Sequence, residues 1–170
     1  MRSSNRAWRY CGGCNVNVEM VTCVMIQNPE TSEVLVQNRR MKYPGYSFPG
    51  GHVERGESIY GCAVREVKEE TGLGVSNLQA CGVVHWVNRE DDGRYLCFMY
   101  KATQYDGELI AKTAEGEQFW LGIDELLAMP EEKFSSVHYA LSPLFHQAGR
   151  YSETFILCSG DDPTQELCYQ

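Results

Sequence analysis

Hydrophobic positions fall in short β-branched runs over the first forty residues, switch to a helical period between Ser58 and Thr71, and return to short runs afterwards. "VEMVTCVMIQ" (18 to 27) and "VLVQNR" (34 to 39) predict two strands. The turn cluster "NPETSE" between them makes the pair read as a hairpin. "RRMKYPGYSFPGGHVERGES" is too rich in glycine and proline for a long regular element and predicts a loop carrying a short strand near Phe48.

Ile59, Ala63 and Val67 recur at spacing four, with Ser58 placed to cap the helix start and Gly72 to take the left-handed position past its end. "ACGVVHWVN" (80 to 88) and "RYLCFMYKATQY" (94 to 105) flank "REDDG", whose Asp-Gly signals a hairpin. "EQFWLGIDELLAM" predicts a short strand and then a helical turn. "SSVHYALSPLFHQAGR" (135 to 150) reads as a closing helix that Pro143 bends or interrupts. The last twenty residues have mixed patterning and fit an edge strand, a docked tail or disorder equally.

A chain of 170 residues fits one domain with a core that needs no disulfide or metal to complete it. Apolar and charged fractions of 43% and 22% are ordinary for a globular protein, and no run approaches the ~20 apolar residues of a membrane helix. The first fifteen residues lack the apolar stretch of a secretory signal, so the expectation is a cytoplasmic protein with no membrane partner. Cys23, Cys62, Cys81 and Cys97 sit singly in apolar segments and read as buried thiols. Cys11 and Cys14 in "CGGC" have zinc-knuckle spacing but no second CxxC, and zinc is not expected. A pI near 5.0 argues against a nucleic-acid polymer as partner, because such binders carry basic patches.

The net charge of −8 sharpens one feature. On the predicted helix Glu66, Glu69 and Glu70 stand at i, i+3 and i+4, so three carboxylates share one face. Arg65 can pair with Glu69, but one arginine does not neutralise three carboxylates. A solvated acidic face is the plain reading of "REVKEE" alone. The alternative is a hard divalent cation such as Mg²⁺, which takes oxygen ligands and shares them with phosphate.

The surrounding spacing favours the cation. Gly51 is followed after five residues by Glu57, after seven more by Arg65 and Glu66, then by Val67, Glu69, Glu70, Gly72 and Leu73. Seven fixed positions agree by chance at roughly one start in a hundred million, given ordinary residue frequencies. This stretch resembles the Nudix box, GX5EX7REUXEEXGU, at every defined position. The resemblance implies an α/β fold, an α/β/α sandwich around a mixed sheet, over residues 15–150, with residues 1–14 an N-terminal extension and 151–170 a C-terminal tail. It also implies hydrolysis of a nucleoside diphosphate linked to a further group, with Mg²⁺ or Mn²⁺ as cofactor. By position, Glu66, Glu69, Glu70 and the carbonyl of Gly50 are the implied metal ligands. Glu57 is the implied support of the metal site, and Arg65 the residue that orients the glutamates. A downstream carboxylate often serves as extra ligand or base in this family; Glu115 and Glu117 are both available, and Glu115 is preferred.

"GYSFPGGHVE" and "DGRYLCFMYKAT" resemble the MutT-type branch, particularly bacterial 8-oxo-dGTP diphosphatases, which release the monophosphate and pyrophosphate. A purine needs an aromatic face and a few polar groups at its edge. Tyr46, Phe48, His85, Trp86 and Trp120 are candidates for the face, with core packing the competing role for each. His85 and Trp86 are strand neighbours, so at most one lines a pocket. Arg39 and Arg40 can grip phosphates as bidentate donors or stand solvated. Asn38 and Asn88 are the amides available to read the base. Two alternatives remain open: an ADP-ribose or other dinucleotide pyrophosphatase, and a catalytically silent nucleotide sensor. Homodimers are common in the family, and a homodimer is one expected assembly.

Overall fold

The structure, a computed structural model, describes residues 16–41, 43–135, 153–159 and 162–169, the last span by its backbone. Its strands are β1 (Val18–Ile26), β2 (Val34–Arg39), β3 (Gly45–Ser47), β4 (Gly74–Ser76), β5 (Gln79–Asn88), β6 (Arg94–Ala102), β7 (Gln104–Asp106), β8 (Gly116–Leu121), β9 (Glu153–Ser159) and β10 (Asp162–Tyr169). Helix α1 spans Ile59–Thr71, helix α2 spans Ile123–Leu127, and a 3-10 turn covers Glu131–Lys133. The closing helix expected over 135–150 falls almost wholly outside the described residues, as do the N-terminal extension with Cys11 and Cys14.

A mixed sheet in the order β1-β6-β5-β9-β10 forms one layer, and a smaller sheet in the order β3-β2-β8 forms another. β1 runs parallel to β6, β6 antiparallel to β5, and β5 parallel to β9. The period-2 alternation of the strands explains how two cores form. Val21, Cys23 and Met25 of β1 join Val34, Val36, Cys97, Met99 and Val84 in one apolar cluster. The alternate residues Val24 and Ile26 turn the other way and meet Ala63 and Val67 of α1, with Leu35 of β2.

Helix α1 is bounded as its sequence predicts. The Ser58 hydroxyl accepts from the Gly61 amide at 2.9 Å, and Gly72 takes φ 77° past the end. The β5–β6 hairpin also forms, with Asn88 and Gly93 closing it. Cys23, Cys62, Cys81 and Cys97 are buried thiols, as is Cys158.

The hairpin expected for β1 and β2 does not form. The two strands share one bridge, Gln27 to Val34, and then separate into different sheets. The physical reason lies in the edges of β1. One is taken by β6, and on the other the amides of Thr22 and Val24 donate to the carbonyls of Gly51 and Pro49 at 2.9 Å each. β2 therefore pairs with β3 and β8, and the loop before α1 occupies the place a hairpin partner would have had.

Among the three options open for the last twenty residues, strands are what the chain forms. β9 lies beside β5 and brings Ile156, 0% exposed, into the core between the sheets. Ile156→Ala is expected to lower stability by about 2–5 kcal/mol through the cavity it leaves, read as the denaturant midpoint. A shift near zero would mean that β9 is a loosely attached flap.

Candidate functional site

The site forms where the Gly50–Gly51 loop, the charged face of α1 and the segment before β8 come together, and Arg65 is its hub. Arg65 Nε donates to Glu57 Oε1 at 2.9 Å and a terminal nitrogen donates to Glu57 Oε2 at 3.0 Å, a bidentate pair. Its other terminal nitrogen donates to Glu66 at 2.8 Å and Glu69 at 3.0 Å. The His52 carbonyl accepts a further bond at 3.1 Å, which ties the loop to the helix. The i, i+4 pair read from the sequence is thus one arm of a larger fork.

Glu70 is held differently. Its carboxylate accepts from the Gly50 amide at 2.9 Å, and its backbone carbonyl accepts a short bond from the Gln118 side chain. Gly50 is glycine for want of space, since a Cβ there would overlap the Thr22 carbonyl oxygen, and a Cβ at Gly51 would push against the Glu66 carboxylate at 2.5 Å. Burial grades the three glutamates, with Glu69 60% exposed at its side chain, Glu66 15%, and Glu70 buried.

The electrostatics follow. Glu57 is held below the usual carboxylate range, chiefly by its Arg65 hydrogen bonds and then by the Glu54 amide. Burial raises Glu66 and outweighs the lowering by Arg65, while Glu69 and Glu115 add to the rise. Burial pushes Glu70 up to about 8 against the Gly50 amide, and Glu115 pushes it the same way. Glu115 therefore acts on the same cluster, with Arg39 3.6 Å away as its counter-ion. Its Oε2 is shielded from solvent and meets no hydrogen-bond donor.

Five carboxylates, those of Glu57, Glu66, Glu69, Glu70 and Glu115, thus share two guanidinium groups, Arg65 and Arg39. Among the described residues no three carboxylate, histidine or cysteine side chains converge on one point as a finished metal cage. Arg65 and the Gly50 amide engage the glutamates instead. The donor set nonetheless fits a hard divalent cation: it is all oxygen, carries excess negative charge, includes Glu115 Oε2, which is shielded from solvent and accepts no hydrogen bond, and leaves Glu69 exposed at its side chain.

The other candidate residues disperse. Glu117 is taken by Arg40 at 2.6 Å and Lys112 at 3.3 Å, which removes both Arg40 and Glu117 from the glutamate face. Phe48 is 4% exposed within the core, so its ring packs and presents no surface to a ligand. Trp120 packs against the helix-side core with Tyr105, ring centroids 5.3 Å apart. His85 faces Glu153 at 2.9 Å through Nδ1 and Arg94 at 3.3 Å through Nε2, so its polar atoms join β5 to β9 and β6. Trp86 turns to the opposite face, edge-on to Tyr95 in the core between the sheets. Tyr46 lies edge-on to Phe119 and directly across from Asn38. Sequence reasoning passed over Gln118, although an amide two residues before Trp120, on the inward side of a strand, is a legible signal.

Comparison with known proteins identifies the family and the fold. The NUDIX domain family matches residues 18–145. The NAD-capped RNA hydrolase NudC of Pseudomonas aeruginosa is 30% identical over 152 residues, 76% of this chain and 53% of that protein. The chain thus spans about half the length of that relative. An ADP-ribose pyrophosphatase of Methanocaldococcus jannaschii is 33% identical over 103 residues, 59% of this chain and 61% of that one. The crystal structure of a MutT protein from Bacillus halodurans is similar with a TM-score of 0.74, covering 88% of this chain and 97% of that one at 24% identity, a likeness of fold. A box matched at every defined position, gathered round Arg65 on a MutT-like α/β fold with a mixed sheet, belongs with these matches, and the chain is a member of the Nudix hydrolase family.

Proposed function

We propose that the protein is a Mg²⁺- or Mn²⁺-dependent pyrophosphohydrolase acting in the cytoplasm on a nucleoside diphosphate linked to a further group. The leading substrate is a purine nucleoside triphosphate such as 8-oxo-dGTP, cleaved to the monophosphate and pyrophosphate. The observation that carries this reading is the Arg65 fork, which gathers Glu57, Glu66 and Glu69 beside buried Glu70. Residues 15–150 are the proposed catalytic domain.

In this reading Glu66, Glu69, Glu70, Glu115 and the Gly50 carbonyl hold the cation. When bound, it neutralises diphosphate charge and polarises phosphorus toward attack by water. Arg65 draws the glutamates together and aims them, and Glu57 fixes Arg65 in turn. Glu69, the exposed member of the set, would be the ligand able to leave Arg65 and help hold the cation. Arg39, beside Glu115, is placed to meet a phosphate. Tyr46 and Asn38, opposite each other on neighbouring strands, supply an aromatic face and an amide for the base. The intact metal-ligand set speaks against a silent sensor.

A second reading is supported by the relatives. NAD-capped RNA and ADP-ribose, the substrates in their names, share a dinucleotide or sugar-linked pyrophosphate. The same glutamates would serve that bond, and only the groups around it differ.

Turnover of 8-oxo-dGTP, dGTP and ADP-ribose should be measured with Mg²⁺ and again after chelation. Preference for the oxidised nucleotide, lost with the chelator, is expected; preference for ADP-ribose selects the second reading, and no turnover anywhere overturns both. Glu69→Gln should reduce turnover by orders of magnitude while the circular dichroism spectrum and melting point stay near wild type. Full activity in that variant would remove the helix face from the reaction. Glu115→Gln should reduce turnover strongly and Glu117→Gln only weakly, since Glu117 is occupied by Arg40 and Lys112. The reverse order would move the downstream ligand to Glu117.

A further inference from the structure

Beneath the glutamate face runs a row of polar side chains that the reaction does not explain. Ser47, Gln37 and Gln118 stand side by side across β3, β2 and β8, with Gln37 directly opposite both neighbours. They are 6%, 1% and 4% exposed. Leu35 and Trp120, which share this face of the sheet by alternation, pack in the apolar cluster with Ala63 and Val67 of α1. Apolar residues would therefore continue the pattern, yet three polar ones interrupt it. Gln37 Nε2 and Oε1, Ser47 Oγ and Gln118 Oε1 meet no protein partner, an arrangement folded proteins keep only where ordered water or a function answers it.

The remaining polar atom of the row shows its direction. Gln118 Nε2 donates to the carbonyl of Glu70. That carbonyl lies in the last turn of α1, where no intrahelical amide is available, and its neighbours also find partners. Lys68 O accepts from the Gly72 amide at 3.0 Å, and Thr71 O accepts from the Ile110 amide at 2.9 Å. Glu70 is consequently fixed at both ends: its carbonyl by Gln118 below and its carboxylate by the Gly50 amide above.

We propose that the Ser47–Gln37–Gln118 row is a buried water-binding site that positions Glu70 for its cation. Water held by Ser47 and the two amides keeps the Gln118 side chain turned toward the Glu70 carbonyl, and the row acts on the cation only through Glu70. The site suits water, because the free atoms include both donors and acceptors and carry no charge. The inference rests on Glu70 being a cation ligand.

The test is Mn²⁺ binding to the full chain without nucleotide, measured by electron paramagnetic resonance, beside the melting point of the metal-free protein. Gln118→Met and Gln37→Met should each weaken Mn²⁺ binding by roughly 10-fold or more, the size typical of groups that support a metal ligand. Gln37 touches neither Glu70 nor the cation, so a loss of Mn²⁺ affinity in Gln37→Met reads the row itself, whatever the metal-free melting point does. A purely structural row would move the melting point and leave Mn²⁺ affinity within threefold of wild type, and that result overturns the proposal. Glu70→Gln separates the two levels. If it weakens Mn²⁺ binding and the row variants do not, the row alone fails; if it has no effect, the metal reading of Glu70 fails and the inference with it. A high-resolution crystal structure should show water bridging Gln37 to Ser47 or Gln118, and a dry row would count against the site.

Discussion

The Arg65 guanidinium is the interaction on which the other parts depend. It bonds a residue before the helix, two residues on the helix and a carbonyl in the loop, so one planar group sets the spacing between loop and helix. A lysine would supply the charge but not the fork, since its ammonium is a point donor on a flexible stem. The loop is clamped from its other side by the β1 amides of Thr22 and Val24. Between these two attachments the glycines at 50 and 51 have no freedom to drift, and the Gly50 amide stays aimed at Glu70.

Charge and burial work against each other at this face, and the outcome bears on how an acidic protein would receive a phosphate in the proposed reaction. Glu70 and Glu66 are withdrawn from water, Glu115 repels them, and Arg65 spends itself on Glu57, Glu66 and Glu69. The negative charge left over along this face of the helix would, in the proposed reaction, attract a cation before any substrate arrives. In the proposed reaction a phosphate would then meet the cation and Arg39, with the surrounding negative charge screened behind them.

Much of this was legible in the residues. Ser58 and Gly72 mark the helix ends by their own backbone chemistry, and the period of Ile59, Ala63 and Val67 states which face is buried. The glutamate register is legible because a helix fixes direction at every position. Strand partners are not so local. "NPETSE" is a fair turn, but whether β1 pairs with β2 depends on β6 and the Gly51 loop, which lie far along the chain. The place of the aromatics was not legible for a similar reason: Phe48 and Trp120 carry the surface a base would stack on, and that same surface buries Phe48 in one core and packs Trp120 against the other. Glu115 and Glu117 are chemically alike, and only the position of Arg40 and Lys112 separates them.

The position of β9 bears on how such a chain comes together. It runs parallel to β5, with Trp86 level with Ile156 seventy residues later. Until that late segment is made, β5 has β6 on one side and bare amides and carbonyls on the other. The box, its helix and the whole glutamate face are complete in sequence well before then. A growing chain therefore carries its chemistry before it can cover this edge of β5, so the danger to the newborn protein is edge-to-edge pairing with a neighbour.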